Sequence, residues 1–147
     1  TAEERQLLQL SRVVAAPRER VFAAWTTPDA IKDWFGPERC RVLDAQVDLR
    51  VDGEYCFSLS TEQLGEIKVR GRYREVTPPA KLIYTWQWEG NSELAIGTSL
   101  VTVEFIPAGN STEIHLTHER LPSIESRDNH QRGWIGVFDK LEKYLAK

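Results

Sequence analysis

Two histidines three residues apart, a pair of tryptophans two residues apart and a row of four basic residues mark where this chain could do chemistry. His115 and His118 invite a metal reading, but they sit in a run where Thr112, Ile114 and Leu116 alternate with polar neighbours. On a strand, residues i and i+3 point to opposite faces, so this pair cannot readily share an ion and no metal site is expected. His118 continues the inward set Thr112, Ile114, Leu116. It is expected at the rim of a pocket, hydrogen-bonding a ligand carbonyl or exchanging protons at an unshifted pKa of about 6.5. No serine or cysteine has a base and an orienting acid at a diagnostic spacing, and Gly53, Gly65 and Gly71 are too scattered to cradle phosphates. Hydrolase and dehydrogenase readings fall away, and neither a catalytic residue nor a cofactor is assigned.

Trp86 and Trp88 are two of five tryptophans in 147 residues. The run from Lys81 to Trp88 has period two, which sets Leu82, Tyr84, Trp86 and Trp88 on one face and Ile83, Thr85 and Gln87 on the other. Buried indole N–H and phenol O–H groups need partners, so such a face suits an amphipathic pocket, with a packed core as the alternative. In the strand before it, Ile67, Val69, Gly71 and Tyr73 oppose Lys68, Arg70, Arg72 and Arg74. On the outer face of a sheet this basic row is expected to be solvated and paired across strands; docking an acidic or phosphate-rich partner is the alternative. Nucleic acid is not expected, because Tyr73 lies opposite the basic row and offers it no stacking platform. Asp48 and Arg50 are expected to pair.

The whole-chain features agree with a single domain over 1–147. Its formal charge is −3, which gives no general attraction to nucleic acid or anionic membrane. No apolar stretch approaches the roughly 20 residues of a membrane span. Glu3, Glu4 and Arg5 stand where a secretory signal would be apolar, so a cytoplasmic location is expected. Cys40 and Cys56 read as buried free thiols, with one disulfide as the alternative.

The elements that must position these residues follow from periodicity and turn chemistry. Leu8, Leu10 and Val13 mark a strand over roughly 6–16, and Pro17 opens a short helix carrying Val21, Phe22 and Trp25. Thr27 is expected to cap a second helix with Pro28 in its first turn and Ile31, Trp34 and Phe35 on its apolar side, ended by Gly36-Pro37. Leu43, Ala45, Val47 and Leu49 then alternate, turn at Asp52-Gly53, and are followed by Tyr55, Phe57 and Leu59. Pro78-Pro79 separates the basic strand from the tryptophan strand. Val101, Val103 and Phe105 lead through Pro107-Ala108-Gly109-Asn110 into the histidine strand. After Pro122, Trp134, Val137, Phe138, Leu141 and Leu145 paint one stripe on a helix over about 124–146. Gly133 and Gly136 each weaken that helix by about 1 kcal/mol relative to Ala, which suggests close approach of another element or a ligand. The resulting fold class is α+β: a bent antiparallel sheet of about seven strands around a long C-terminal helix, with two short helices after the first strand.

That order, with Ala16-Pro17-Arg18-Glu19-Arg20-Val21-Phe22-Ala23-Ala24-Trp25, Trp34-Phe35-Gly36-Pro37, Asp48-Leu49-Arg50-Val51-Asp52-Gly53, Leu82-Ile83-Tyr84-Thr85-Trp86 and Gly133-Trp134, resembles the START-like helix-grip superfamily, SRPBCC, which includes birch-pollen-allergen-like carriers. More narrowly it resembles the branch related to the activator of the heat-shock-protein ATPase, where a second glycine is more usual in place of Asp52. The resemblance implies carriage or sensing of a hydrophobic small molecule in an internal cavity, a co-chaperone or a stress-response role.

The leading expectation is non-catalytic binding of a hydrophobic or aromatic molecule by Phe57, Val69, Tyr73, Tyr84, Trp86, Trp88, Phe105, His118 and Trp134, with Phe35 at the entrance. One alternative is a cyclase-like or dehydratase-like enzyme acting on an aromatic or polyketide precursor, with His118, Tyr73 or Tyr84 moving a proton. The other is a protein-interaction module docking through Lys68, Arg70, Arg72 and Arg74. A homodimer is expected, because sheet edges need protection.

Overall fold

The computed structural model describes residues 6–35, 40–62, 65–90 and 97–146. Strand β1 (Gln6–Val14) is followed by helices α1 (Arg18–Thr26) and α2 (Pro28–Trp34). Six strands come next: β2 (Cys40–Val47), β3 (Glu54–Thr61), β4 (Gly65–Thr77), β5 (Lys81–Glu89), β6 (Ser99–Ala108) and β7 (Ser111–Leu121). Helix α3 (Ile124–Leu145) ends the fold. The strands form one sheet in the order β1-β7-β6-β5-β4-β3-β2, with every neighbouring pair antiparallel. This is the α+β helix-grip arrangement expected from the alternating strands and the final amphipathic stripe.

The stripe on α3 is buried as its spacing requires: Trp134, Val137, Phe138, Leu141 and Leu145 all lie in the core. Ser123 caps the helix by accepting from Ser126 N–H at 3.0 Å, which meets one of the first turn's unpaired donors. Arg12 on β1 clasps α3 from the sheet edge, reaching Asp139 and Glu142 at 2.9 Å each, with its guanidinium 5.6 Å from the centre of the Phe138 ring. The short helices are tied in as well. Trp34 Nε1 donates to Ala24 O at 2.8 Å, joining α2 to α1, and Thr112 Oγ1 donates to Ala16 O at 2.7 Å, joining β7 to the chain entering α1.

Several local expectations are corrected. The first strand ends at Val14, because Ala16 N–H turns back to Val14 O at 3.0 Å. Thr27 precedes α2 without a side-chain cap, although Pro28 does occupy its first turn. On β2 the alternation breaks at a bulge between Val42 and Asp44, so Val42 and Ala45 are buried while Leu43 and Leu49 are exposed. Gly133 has open space where a side chain would go, so no close approach explains it.

Gly53 does have a steric reason: an added Cβ would lie 2.0 Å from Asp48 O, inside the turn joining β2 to β3. Asp52 in the same turn has φ +67°, a left-handed conformation that glycine adopts at lower cost.

Candidate functional site

The inward faces of α1, α2, β3, β4 and β5 bring together an aromatic layer. α1 presents Trp25, α2 presents Ile31 and Trp34, and the chain leaves α2 through Phe35. The sheet answers with Tyr55 and Phe57 from β3, Tyr73 from β4 and Tyr84 from β5, where Tyr73 and Tyr84 are cross-strand partners. These eight residues line a small cavity, close in size to one water molecule. Rings in its walls meet edge to face at Phe35 and Phe57, 5.0 Å apart, and at Tyr55 and Tyr84, 5.3 Å apart.

The hydroxyls of the three tyrosines are used differently. Tyr55 Oη donates to Thr85 O at 2.5 Å. Thr85 Oγ1 in turn accepts from Arg72 N–H at 2.8 Å. Gly71 makes this crossing possible, because a Cβ there would lie 1.9 Å from Thr85 O. Tyr84 Oη accepts from Trp25 Nε1 at 3.3 Å, and its own proton meets no acceptor among the described residues. Tyr73 Oη has no hydrogen-bond partner among them either, and this hydroxyl keeps some accessible surface within a residue that is otherwise buried. Burial raises the pKa of both phenols, so each keeps its proton at neutral pH. The cavity is therefore apolar in its walls and equipped with two phenolic donors.

A second polar cluster lies between β5, β6, β7 and α3. Trp134 Nε1 donates to His118 Nδ1 at 3.1 Å, which leaves His118 Nε2 to carry the ring proton toward Ser99 Oγ at 2.7 Å. Ser99 Oγ donates onward to Trp86 O at 3.3 Å. Nearby, Trp88 Nε1 donates to His130 Nε2 at 3.0 Å, so His130 carries its proton on Nδ1, facing Ser126 O at 2.7 Å. The two imidazoles meet edge to face with centroids 4.9 Å apart. Burial, and for His118 also the neighbouring His130, lowers both pKa values and keeps both rings neutral. The unshifted rim histidine expected at position 118 is instead a fully buried one with both ring nitrogens engaged. His115 points to the other face, 3.3 Å from Glu113, as the strand period requires. Among the described residues no group of three or more metal-ligating side chains occurs.

Of the residues expected to form a pocket, Phe35, Phe57, Tyr73 and Tyr84 line the cavity, with Phe35 buried at 5% exposure. Trp86 packs on Phe35, Trp88, His118 and Trp134, and its Nε1 is buried without an acceptor among the described residues. Val69 and Phe105 are core residues, Phe105 meeting Phe22 and Trp25. Trp134 stacks on Trp25 at 6.3 Å. Trp88 is partly buried beside His130. Trp25, Ile31, Trp34 and Tyr55 complete the lining without having been singled out. The sequence signal for the first three was the apolar side of each short helix, which does not say that the two sides converge.

The basic row lies outward as expected. Arg70 pairs with Glu89 at 3.2 Å and Arg72 with Glu54 at 3.1 Å, while Lys68 and Arg74 are exposed. Asp48 and Arg50 pair at 2.9 Å. Cys40 and Cys56 are free thiols, half-buried rather than buried. The register pairs Cys40 with Thr61 and Cys56 with Gln46, so they sit several residues apart along the β2–β3 ladder. No described helix is long and apolar enough to cross a membrane.

Residues 15–146 match the family model described as Activator of Hsp90 ATPase homolog 1-like protein. The chain belongs to this family. Among solved structures, the AHSA1 protein from Silicibacter pomeroyi is similar at 27% identity and a TM-score of 0.84, over 96% of this chain and 98% of that one. A protein from Chromobacterium violaceum is 28% identical with a TM-score of 0.79, over 94% and 96% of the two chains. One from Rhizobium leguminosarum is 26% identical with a TM-score of 0.84, over 97% and 95%. No curated protein matches this chain. The family membership and these neighbours agree with the START-like helix-grip fold.

Proposed function

We propose that this protein binds a neutral, largely apolar small molecule carrying a hydrogen-bond acceptor, in the cavity between α1, α2 and strands β3 to β5. The observation that carries this reading is the pair of phenol hydroxyls, Tyr73 and Tyr84, that an otherwise largely aromatic wall presents without an acceptor for their protons among the described residues. A ligand carbonyl or ether oxygen would accept from these hydroxyls. Among the described residues no charged side chain lines the cavity, so a charged ligand would lose its hydration without a partner. The cavity accommodates little more than a water molecule, so binding of a larger molecule requires the aromatic layer to move apart. Affinity is then reduced by the fraction of molecules in the open form.

Simple binding is favoured over catalysis because His118 has both nitrogens engaged and does not line the cavity. It is favoured over docking of an acidic partner because two members of the basic row are already paired with glutamates. Native mass spectrometry and displacement of an environment-sensitive dye by a panel of aromatic ketones, ethers, hydrocarbons and carboxylates test the proposal. A one-to-one complex with neutral acceptor-bearing members is expected. Absence of any complex and any displacement, or preference for carboxylates, would overturn it.

A further inference from the structure

We propose that the N-terminal half of α3 is an acid-released latch, held to the sheet by two indole-to-imidazole hydrogen bonds that exist only while both imidazoles are neutral. The bonds cross the helix–sheet interface in opposite directions. Trp88 on β5 donates to His130 on α3, and Trp134 on α3 donates to His118 on β7. In both, the imidazole is the acceptor through its unprotonated nitrogen, and its other nitrogen already donates, to Ser126 O or to Ser99 Oγ. Neither ring can take up a proton without converting the accepting nitrogen into an N–H aimed at an indole N–H. The bond is lost and two donors face each other in a buried setting.

Among the described residues nothing compensates a protonated ring. His118 is opposed by Leu8 of β1 and Val101 of β6, with Ser99 of β6, Trp86 of β5 and Trp134 of α3 around it. Among the described residues the one titratable group acting on it is His130, which would repel a second charge. His130 faces Trp88 of β5, His118 of β7 and Ser126 on its own helix. On the same helix, Arg127 and Asp128 are paired with each other at 3.0 Å. Among the described residues no carboxylate acts on either ring. Release of Trp134 would uncover Trp25 and Phe35, which it packs against and which line the aromatic cavity. The latch stands on this geometry whether or not the cavity carries a ligand.

Hydrogen exchange on the full chain, corrected for the intrinsic pH dependence of exchange, reads the opening directly. Below about pH 6.5 the opening constant of residues 124–134 is expected to rise about tenfold per pH unit for one proton taken up, and up to about a hundredfold for two. Residues 137–145 and the β6–β7 ladder are expected to stay protected over the same interval. In a His118→Gln, His130→Gln double variant, the amide oxygens can accept without titrating, and the acid response is expected to vanish. Imidazole nitrogen shifts of the wild type give a second readout that needs no variant: neutral His118 as the Nε2–H tautomer and His130 as the Nδ1–H tautomer. Protection of residues 124–134 unchanged between about pH 7.5 and about pH 5, the opposite tautomers, or an undiminished response in a folded double variant would overturn the proposal.

Discussion

Replacing the two cavity phenols one at a time separates their structural role from their ligand role. Tyr84→Phe removes the acceptor of Trp25 Nε1, a bond of 3.3 Å to an indole that is 5% exposed. The orphaned indole donor should cost about 1 to 2 kcal/mol, the lower part of the usual range because the bond is long. For a chain of this size that is a fall in melting temperature of about 2 to 8 °C. Tyr73→Phe removes a hydroxyl with no partner among the described residues, so the change in stability should stay within about 0.5 kcal/mol. Both variants lose a donor for the ligand, and each should weaken binding of an acceptor-bearing compound by about three- to tenfold. Urea denaturation with unchanged slope, alongside fluorescence titration of one aromatic ketone, measures both quantities. Equal destabilisation by the two substitutions would refute the hydrogen-bond assignment, and unaltered affinity in both would refute the ligand role.

Other consequences follow from the same geometry. Gly133→Ala on α3, where a Cβ meets nothing, should stabilise the protein by about 0.5 to 1 kcal/mol, read as a higher urea midpoint; destabilisation would mean that the helix approaches something there. Because burial lowers the pKa of His118 and His130 in the folded state, the unfolded chain binds more protons below the ordinary value of about 6.5. Their stability contribution is therefore complete above that pH. As pH falls through the window beneath it, unfolding free energy should drop by up to about 2.7 kcal/mol per unit for the pair, and urea midpoints that hold constant or rise from about pH 6.5 to about pH 5.5 would contradict this. Arg12→Met keeps the apolar stem over Phe138 but removes two partly exposed ion pairs, so its cost should be about 0.5 to 1 kcal/mol and should shrink in high salt.

Long periodic segments were readable from residues alone. The stripe from Trp134 to Leu145 and the inward set Leu82, Tyr84, Trp86 point as their spacing requires, because burial of an apolar face dominates the local energetics there. The β2 bulge was not readable: one extra residue flips the face of everything beyond it, and Val42-Leu43-Asp44 carries no glycine or proline to mark it. His118 shows a further limit. Period two gives the direction of a side chain but not its depth, and only the tertiary partners Ser99, Trp134 and His130 distinguish a sealed imidazole from one at a rim. The cavity lining is similar. Trp25, Ile31 and Trp34 sit on two separate helices, and their convergence on Tyr55 depends on how those helices pack against the sheet. Half of the lining, Phe35, Phe57, Tyr73 and Tyr84, was visible because three of these residues lie on regular strands and the fourth ends a helix with a clear stop signal.

The most direct test of acceptor-directed binding in the aromatic cavity is a fluorescence titration with 2-acetylnaphthalene and 2-ethylnaphthalene, which have closely similar shapes but differ by one carbonyl oxygen. If Tyr73 and Tyr84 supply donors to the ligand, the ketone should bind about fivefold more tightly, the worth of roughly one net hydrogen bond. Equal affinity, or tighter binding of the hydrocarbon as expected of a cavity that leaves the carbonyl desolvated and unpaired, would contradict the proposed function.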